Sequence, residues 1–185
     1  LDSDEFGTVD NQGENRMRYL RGDATNEAPT GLQWRARSWT ANGATVTNRL
    51  GDIVNSNPIY VGPPASEMPG AGYNDFAKLV RDRRPVVYVG ANDGMLHAFD
   101  ASKPGTVGAT PGEELFAYVP SAVYSRLSQL TSPGYSHKYF VDGSPVVSEA
   151  CSGTCAGSSD WKTVLVGGLN AGGQGVYALN VTRPE

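Results

Sequence analysis

The sequence has few of the residues that carry most metal, redox and acid–base chemistry. Its 185 residues include only two cysteines and two histidines. Two cysteines alone do not complete a structural zinc site, which usually needs four ligands. No serine or cysteine has a matched base nearby in the sequence, so nucleophilic catalysis has no visible support. We expect both histidines, His97 and His137, to make local structural contacts.

An excess of basic charge and a long apolar run are also missing. The formal net charge is −4, so no positive field favours a nucleic-acid partner. No stretch of the sequence is long and apolar enough to cross a bilayer. We therefore expect neither nucleic-acid binding nor membrane insertion by this segment.

The charges are unevenly distributed along the chain. Residues 1–27 hold seven acidic residues and three arginines, whereas the remainder holds 12 acidic and 12 basic residues. An acidic stretch with few aromatic residues predicts a solvated arm or a cation site.

The two cysteines lie close together in Cys151-Ser-Gly-Thr-Cys155. A loop of this length can bring the two sulfur atoms together, so we predict a disulfide, which would indicate an oxidising compartment. The alternative is a pair of reduced thiols without a role.

Glycine and proline, in contrast, are frequent, with 23 and 12 residues. Two stretches, Pro85–Asp100 and Lys162–Asn180, repeat each other: each has an apolar strand ending on glycine, a Gly/Asn turn, and a second strand ending in Ala-Phe-Asp or Ala-Leu-Asn. Each follows a matching strand, in Asn55–Val61 and Asp142–Ser148 respectively. Such an internal repeat predicts an all-β fold made of β-propeller blades.

The repeat divides the chain into two parts. Residues 1–49 are predicted to form an acidic arm, a short helix and a linker, and residues 50–185 to form about two blades. Two blades cannot close a ring and the second lacks its outermost strand, so we expect a truncated propeller. The predicted strands are 53–61, 85–91, 95–100 and 114–119, then 139–148, 162–168 and 175–181.

Short helices are predicted around this framework. A helix over residues 14–21 places Met17 and Leu20 on one face, and Gly22 stands at its C-terminal cap. Two further helices are predicted, one inside an insertion at 62–84, with Phe76, Leu79 and Val80 on one face, and one at 121–130.

Several long motifs resemble one known family. Arg49–Gly62, Val87–Asp100 and His137–Gly143 are similar, in this order, to motifs of the PilC/PilY family of type IV pilus biogenesis proteins and tip adhesins. Tyr19–Asp23 resembles the segment that leads into that family's propeller. The resemblance covers about residues 17–182. It implies a C-terminal propeller of the quinoprotein-like type, carried on a large secreted protein.

The resemblance also implies partners and a location. The expected partners are minor pilins at the pilus tip, and the expected role is in pilus extension, retraction and adhesion. The expected route is secretion across the inner membrane to the periplasm, the outer-membrane surface and the pilus tip.

Quinoprotein-like blades raise the alternative of a dehydrogenase that uses pyrroloquinoline quinone. Ala98-Phe-Asp100 and Gly112–Phe116 form a stretched version of the blade motif, with Phe116 where a tryptophan would dock. That motif is structural even in the enzymes, and no cluster of Glu, Asn and Asp suited to a quinone with calcium is visible. A quinoprotein-like fold does not by itself imply a dehydrogenase. Since no such cluster is visible, we expect no quinone and no enzymatic activity.

The acidic arm carries a candidate calcium loop. EF-type loops place acidic residues at positions 1, 3, 5 and 9, with glycine at 6. Asp2, Asp4 and Asp10 occupy positions 1, 3 and 9. Phe6 and Thr8, at positions 5 and 7, would supply backbone carbonyl oxygens. The bidentate glutamate is missing, so we predict weak calcium binding, which the family's short Asp-rich calcium loops also imply. The alternative is a disordered acidic end.

Arg21-Gly22-Asp23 is the integrin-recognition tripeptide. In that role Arg21 supplies a cation to one integrin subunit and Asp23 completes a metal site on the other. The alternative is a helix end, with Gly22 as the cap and Arg21 in the last turn, where its charge suits the helix dipole. A calcium-loaded loop nearby would make adhesion calcium-dependent.

The sequence thus predicts a non-enzymatic type IV pilus assembly and adhesion module that supports twitching motility and, through host integrins, attachment and virulence. The alternatives are a quinoprotein-like dehydrogenase propeller and a purely structural propeller that contacts only pilins through its loops.

Overall fold

The computed structural model describes residues 1–64 and 68–184. Residues 65–67, inside the predicted insertion at 62–84, and residue 185 lie outside the described residues. The described helices are α1 (Gly13–Leu20), α2 (Tyr73–Leu79) and three 3-10 helices, Ser121–Thr131, Ser158–Asp160 and Asn170–Gly172. The strands are β1 (Ser38–Ala41), β2 (Ala44–Thr47), β3 (Ile59–Val61), β4 (Val86–Gly90), β5 (Leu96–Asp100), β6 (Glu114–Tyr118), β7 (Val146–Cys151), β8 (Trp161–Gly168) and β9 (Val176–Asn180).

The strands form three antiparallel sheets, each in sequence order. β1 and β2 make a separate hairpin, β3 to β6 make a four-stranded sheet, and β7 to β9 make a three-stranded sheet. The two larger sheets contain the two repeated stretches, and their order follows the meander that the repeat predicts. The fold is therefore mostly β-sheet with some helices.

The first strand of each larger sheet differs from its predicted bounds. β3 covers only the last three residues of the predicted 53–61, and β7 begins later than the predicted 139–148. Both strands begin directly after a proline, Pro58 or Pro145. Proline lacks the N–H that a sheet ladder needs, so it stands before a strand or at its first residue.

The main core is shared by the two larger sheets and the 3-10 helix at Ser121–Thr131. β4 and β5 are buried along nearly their whole length, although only β4 is a continuous apolar sequence and β5 also contains His97 and Asp100. Tyr88, Leu96 and Leu165 are fully buried and pack against Leu127 of the 3-10 helix in one cluster. Burial of this common cluster holds the sheets together.

Corresponding asparagines of the two repeats hold connecting segments through side-chain hydrogen bonds. The Asn92 amide donates to Asp52 at 3.1 Å and accepts from the Phe140 N–H at 3.0 Å. Asn170, the counterpart of Asn92, donates to Asp142 at 3.1 Å. The repeat therefore extends from strands to the hydrogen bonds that position the connecting segments.

A second, smaller core links the insertion of the first repeat to the second sheet. Tyr73 and Phe76 of α2 pack against Trp161 of β8, and the Tyr73 and Trp161 ring centroids are 4.9 Å apart. The Cys151–Cys155 disulfide is present, which confirms that prediction, and it borders this core. Leu79 was expected on the buried face of this helix but is 58% exposed.

Replacing Phe76 with alanine should destabilise the fold through this smaller core. Phe76 is 1% exposed, and truncating a buried phenylalanine costs about 3–5 kcal/mol. Urea denaturation of the chain measures this loss. The matched control is Leu79→Ala on the same helix, which should change the free energy of unfolding by less than about 0.5 kcal/mol. Equal losses in both variants would contradict the packing described here.

Candidate functional site

The first twelve residues fold back on themselves in a small loop. An isolated bridge pairs Ser3 with Val9, and the Asp4 N–H donates to the Thr8 carbonyl oxygen at 2.9 Å. The Asp4 carboxylate accepts the N–H groups of Phe6 and Thr8 at 2.9 and 2.8 Å. Asp4 therefore stabilises the turn of its own loop, an ordinary use of aspartate in turns.

Asp10 forms the strongest charge pair of the arm, with Arg16 of α1. Two guanidinium nitrogens contact its two carboxylate oxygens at 2.7 and 2.5 Å, and the Arg16 side chain is only 2% exposed. The hydrogen bond from Arg16 is the main cause that lowers the pKa of Asp10 to about 2. Bidentate pairs of this kind are among the strongest hydrogen bonds in proteins.

Asp2 stabilises the start of α1. Its carboxylate accepts the Gly13 N–H at 3.0 Å, an unpaired amide of the first helical turn. A negative charge at this end of a helix is favoured by the helix dipole.

The predicted calcium donors therefore point to three separate partners. The Asp2 carboxylate binds an amide at the start of α1, the Asp4 carboxylate binds two amides of its own turn, and the Asp10 carboxylate is paired with Arg16. Across residues 1–64 and 68–184, no group of three or more His, Cys, Asp or Glu side chains is arranged to hold a metal ion. Phe6 projects a ring that is 86% exposed, and the Thr8 carbonyl is already hydrogen-bonded. In this arrangement the predicted ligands do not converge on one site, so calcium would bind only after the loop rearranges, and calcium binding stays a prediction.

Gly22 ends α1 as the sequence predicted. Its φ is +99°, a conformation that favours glycine. The Gly22 N–H donates to the Tyr19 carbonyl at 2.8 Å and the Asp23 N–H to the Arg18 carbonyl at 3.0 Å. These two bonds define a Schellman motif. Gly22 is also buried, and a Cβ there would lie 2.8 Å from Cδ of Arg49.

The two charges of the tripeptide remain at the surface. The Arg21 side chain is exposed, and Asp23 is half-buried. One Asp23 oxygen accepts the hydroxyl and the N–H of Thr25 at 2.5 and 2.8 Å. The hydroxyl of Thr25 is the main cause that lowers the pKa of Asp23. The other oxygen has no partner among the described residues and could bind a metal ion of an integrin. Integrin recognition by this tripeptide stays a prediction.

A buried ion pair joins the linker to the end of α1, which sequence reasoning missed. Arg37 contacts Glu27 at 2.7 Å, and their side chains are 7% and 5% exposed. The same guanidinium donates to the carbonyl oxygens of Tyr19 and Asp23 and lies 3.6 Å from the Tyr19 ring centroid. No spacing rule marks this pair, because its members are ten positions apart along an irregular segment.

His97 connects the linker to the four-stranded sheet. Its Nδ1 lies 2.5 Å from Glu114 of β6, and its Nε2 lies 3.0 Å from Asp93 in the turn before β5. Asp93 also accepts the N–H of Gly51 at 2.7 Å and the N–H of Met95 at 3.2 Å. Burial lowers the pKa of His97, but the hydrogen bonds and charges of Asp93 and Glu114 outweigh it and raise that pKa.

Comparison with known proteins supplies the family. A sequence model described as the PilY1 beta-propeller domain matches residues 50–185. The type IV pilus biogenesis factor PilY1 of Pseudomonas aeruginosa strain PAK is 42% identical over 99% of this chain. A PilY1 homolog of Xylella fastidiosa is 42% identical over 92% of it. The chain belongs to the PilY1 family.

The similarity extends beyond the PilY1 propeller into the arm. The chain spans 14% of the length of the Pseudomonas relative and 13% of the Xylella relative. The crystal structure of the Pseudomonas aeruginosa PilY1 C-terminal domain is 41% identical, with a TM-score of 0.48 over 68% of this chain and 23% of that one. The resemblance to this family seen in the sequence is confirmed.

The contacts of His97 with Asp93 and Glu114 predict that the stability of the fold depends on pH. Because the folded-state pKa of His97 is raised above about 6.5, its stabilisation is complete below that pH. It should be lost as the pH rises through the raised value. The free energy of unfolding, measured from pH 6 to 9, should therefore fall in the parent chain.

Two variants test the assignment of this pH dependence to His97. His97→Gln should remove the dependence, and His137→Gln, at a histidine that is 45% exposed, should retain it. A His97→Gln variant with the same pH profile as the parent would show that another group is responsible.

Proposed function

We propose that this chain is the arm and the first propeller segment of a non-enzymatic type IV pilus assembly factor, with minor pilins at the pilus tip as its partners. The single observation that carries the proposal is the match to PilY1 over 99% of the chain, arm included. The two larger sheets are, in this proposal, the first two blades of a quinoprotein-like propeller.

The arm contacts support a rigid unit that joins arm and propeller. The Tyr19 hydroxyl lies within hydrogen-bond distance of the carbonyl oxygens of Arg35 and Leu130, at 3.0 and 3.3 Å. The Ser128 hydroxyl donates to the Asp4 carbonyl at 3.2 Å. Contacts from the loop, the helix and the linker all reach the sheets or the 3-10 helix beside them. A partner that binds the arm would thus be held at a defined position on the propeller.

The contacts of Asp100 and Phe116, two residues of the blade motif, support a structural role for this motif and not a quinone site. The Asp100 carboxylate accepts the N–H groups of Ser102 and Thr110, both at 2.8 Å. The hydrogen bond with Ser102 is the first cause that lowers the pKa of Asp100 to about 2. Phe116, in the place of the docking tryptophan, packs with Tyr88 at a ring-centroid distance of 6.2 Å.

We propose an extracytoplasmic, pilus-associated location. The disulfide supports this proposal, since such bonds persist in oxidising compartments. Within the part of the chain that the structure describes, no helix is both long and apolar enough to span a membrane.

Calcium-dependent integrin adhesion is a second candidate function. The exposed Arg21 favours it, as does the Asp23 oxygen that has no partner in the part of the chain that the structure describes. Calorimetric titration of the chain with calcium should show weak saturable binding that Asp4→Ala abolishes. Binding of the immobilised chain to a purified integrin should be lost in Asp23→Glu, since the longer side chain misplaces the carboxylate. Unchanged titration in Asp4→Ala or full binding by Asp23→Glu would contradict this function.

The assembly role can be tested at the junction of arm and propeller. A Cβ at Gly51 would lie 2.9 Å from the Asn92 carbonyl carbon and from Cβ of Asp93, so Gly51→Ala must displace the linker. In a strain that lacks its own copy, the full-length protein should restore surface pili and twitching, and Gly51→Ala should restore fewer pili.

Gly134→Ala is the matched control, because the nearest atom to its added Cβ is 3.8 Å away, and it should restore pili fully. Normal piliation in the strain without the protein would refute the proposed function.

A further inference from the structure

A cavity of about 330 Å³ lies between the linker, the 3-10 helix and the turn before β5. Sites for small molecules usually have volumes of about 300–1,000 Å³ and a few well-placed polar groups. The walls of this cavity combine two kinds of group that recognise ligands, arginines and aromatic rings: Arg35, Arg49, Trp39 and Tyr135.

Two of the arginines on the cavity wall have no acidic partner among residues 1–64 and 68–184. The Arg35 guanidinium lies 4.1 Å from the Tyr135 ring centroid, and among these residues only its Nε donates, to the Tyr19 hydroxyl at 3.3 Å. Arg49 makes no side-chain hydrogen bond or ion pair with any described residue. Arg37, in contrast, binds Glu27 and two carbonyl groups. The free nitrogens of Arg35 and Arg49 are suited to a carboxylate.

Trp39 provides a flat apolar surface beside these arginines. It pairs with Val46 across the β1–β2 hairpin and is 51% exposed. Ala41 and Ala44, which also pair directly, lie on the same face of the hairpin as Trp39. The opposite face carries only hydroxyl side chains of serine and threonine. An exposed tryptophan ring offers a ligand a large contact area at a low entropic cost.

Carboxylates on the same wall restrict the charge of the ligand. Asp93 is already engaged by Gly51 and His97, and Asp52 is bound to His137 at 2.7 Å and to Asn92 at 3.1 Å. A compact anion with two charges on one centre, such as sulfate, would be repelled by these two groups. A saccharide with one carboxylate on each charged ring and several hydroxyls can use both signs, because hydroxyls donate to carboxylates and accept from amides.

We infer that this cavity binds an acidic saccharide. The sugar carboxylate contacts Arg35 and Arg49, one sugar ring packs on Trp39, and hydroxyls bond with Asn48 and Asp52. This site is separate from the proposed pilus-assembly role and does not depend on it.

The test is calorimetric titration of the whole chain with a hyaluronan tetrasaccharide, whose glucuronate rings carry one carboxylate each. Chitotetraose is the neutral control, and sodium sulfate is the control for simple anions. We expect saturable binding of the hyaluronan tetrasaccharide alone. Trp39→Ala and Arg35→Gln should each weaken it by about tenfold or more, the loss expected for one hydrogen bond to a charged group or one stacking contact.

Variants separate recognition from folding. Trp39 lies on an exposed hairpin, so Trp39→Ala leaves the core intact, and Trp39→Tyr should restore much of the binding. Arg81→Gln removes an arginine that is 72% exposed and paired with Asp82, and it should bind like the parent. A sialylated and a galacturonate oligosaccharide are titrated in the same way, and the inference is wrong if none of the three acidic oligosaccharides binds. It is also wrong if chitotetraose binds as tightly as the hyaluronan tetrasaccharide, or if Trp39→Ala binds as tightly as the parent.

Discussion

The carboxylate of Asp93 holds the segment that joins the arm to the first sheet. It accepts the N–H of Gly51 at the end of the linker and the N–H of Met95 in its own turn, and it binds the ring of His97. His97 in turn binds Glu114 on the neighbouring strand. A buried polar cluster of this kind stabilises one arrangement only when every member is paired. The linker therefore has a defined position against the turn and the sheet.

The arginines in the rest of the arm fall into two groups, those that are buried and paired and those without an acidic partner among the described residues. Arg16 and Arg37 are buried and each binds one carboxylate and nearby carbonyl groups, so their role is to hold the arm together. Arg21, Arg35 and Arg49 have no acidic partner among the described residues and face solvent or a cavity. Because an unpaired guanidinium is costly to bury but inexpensive at a surface, these three are the residues left to contact ligands or partners.

Periodicity and turn chemistry predicted most of the framework. The predicted strand at 162–168 lies within β8, and those at 95–100 and 175–181 begin one residue before β5 and β9, because alternation and glycine turns are local signals. Gly22 was recognised as a helix cap by the same kind of local rule. The buried face of α1 was not: Arg16 and Tyr19 are buried, whereas Met17 is 49% exposed. Tyr19 contacts the linker and the distant 3-10 helix, and Arg16 contacts Asp10 in the N-terminal loop.

By itself, the sequence determined the repeat, the order of strands, the helix end at Gly22 and the disulfide between Cys151 and Cys155. Each of these follows from residues that are neighbours along the chain or share one turn. Only the tertiary structure decided which charges pair and which remain free. Asp10 is drawn to Arg16, His97 is held between two carboxylates, and Arg35 lies on Tyr135, a hundred residues away. Charge pairing depends on distance and burial in space, and neither can be read from the order of residues.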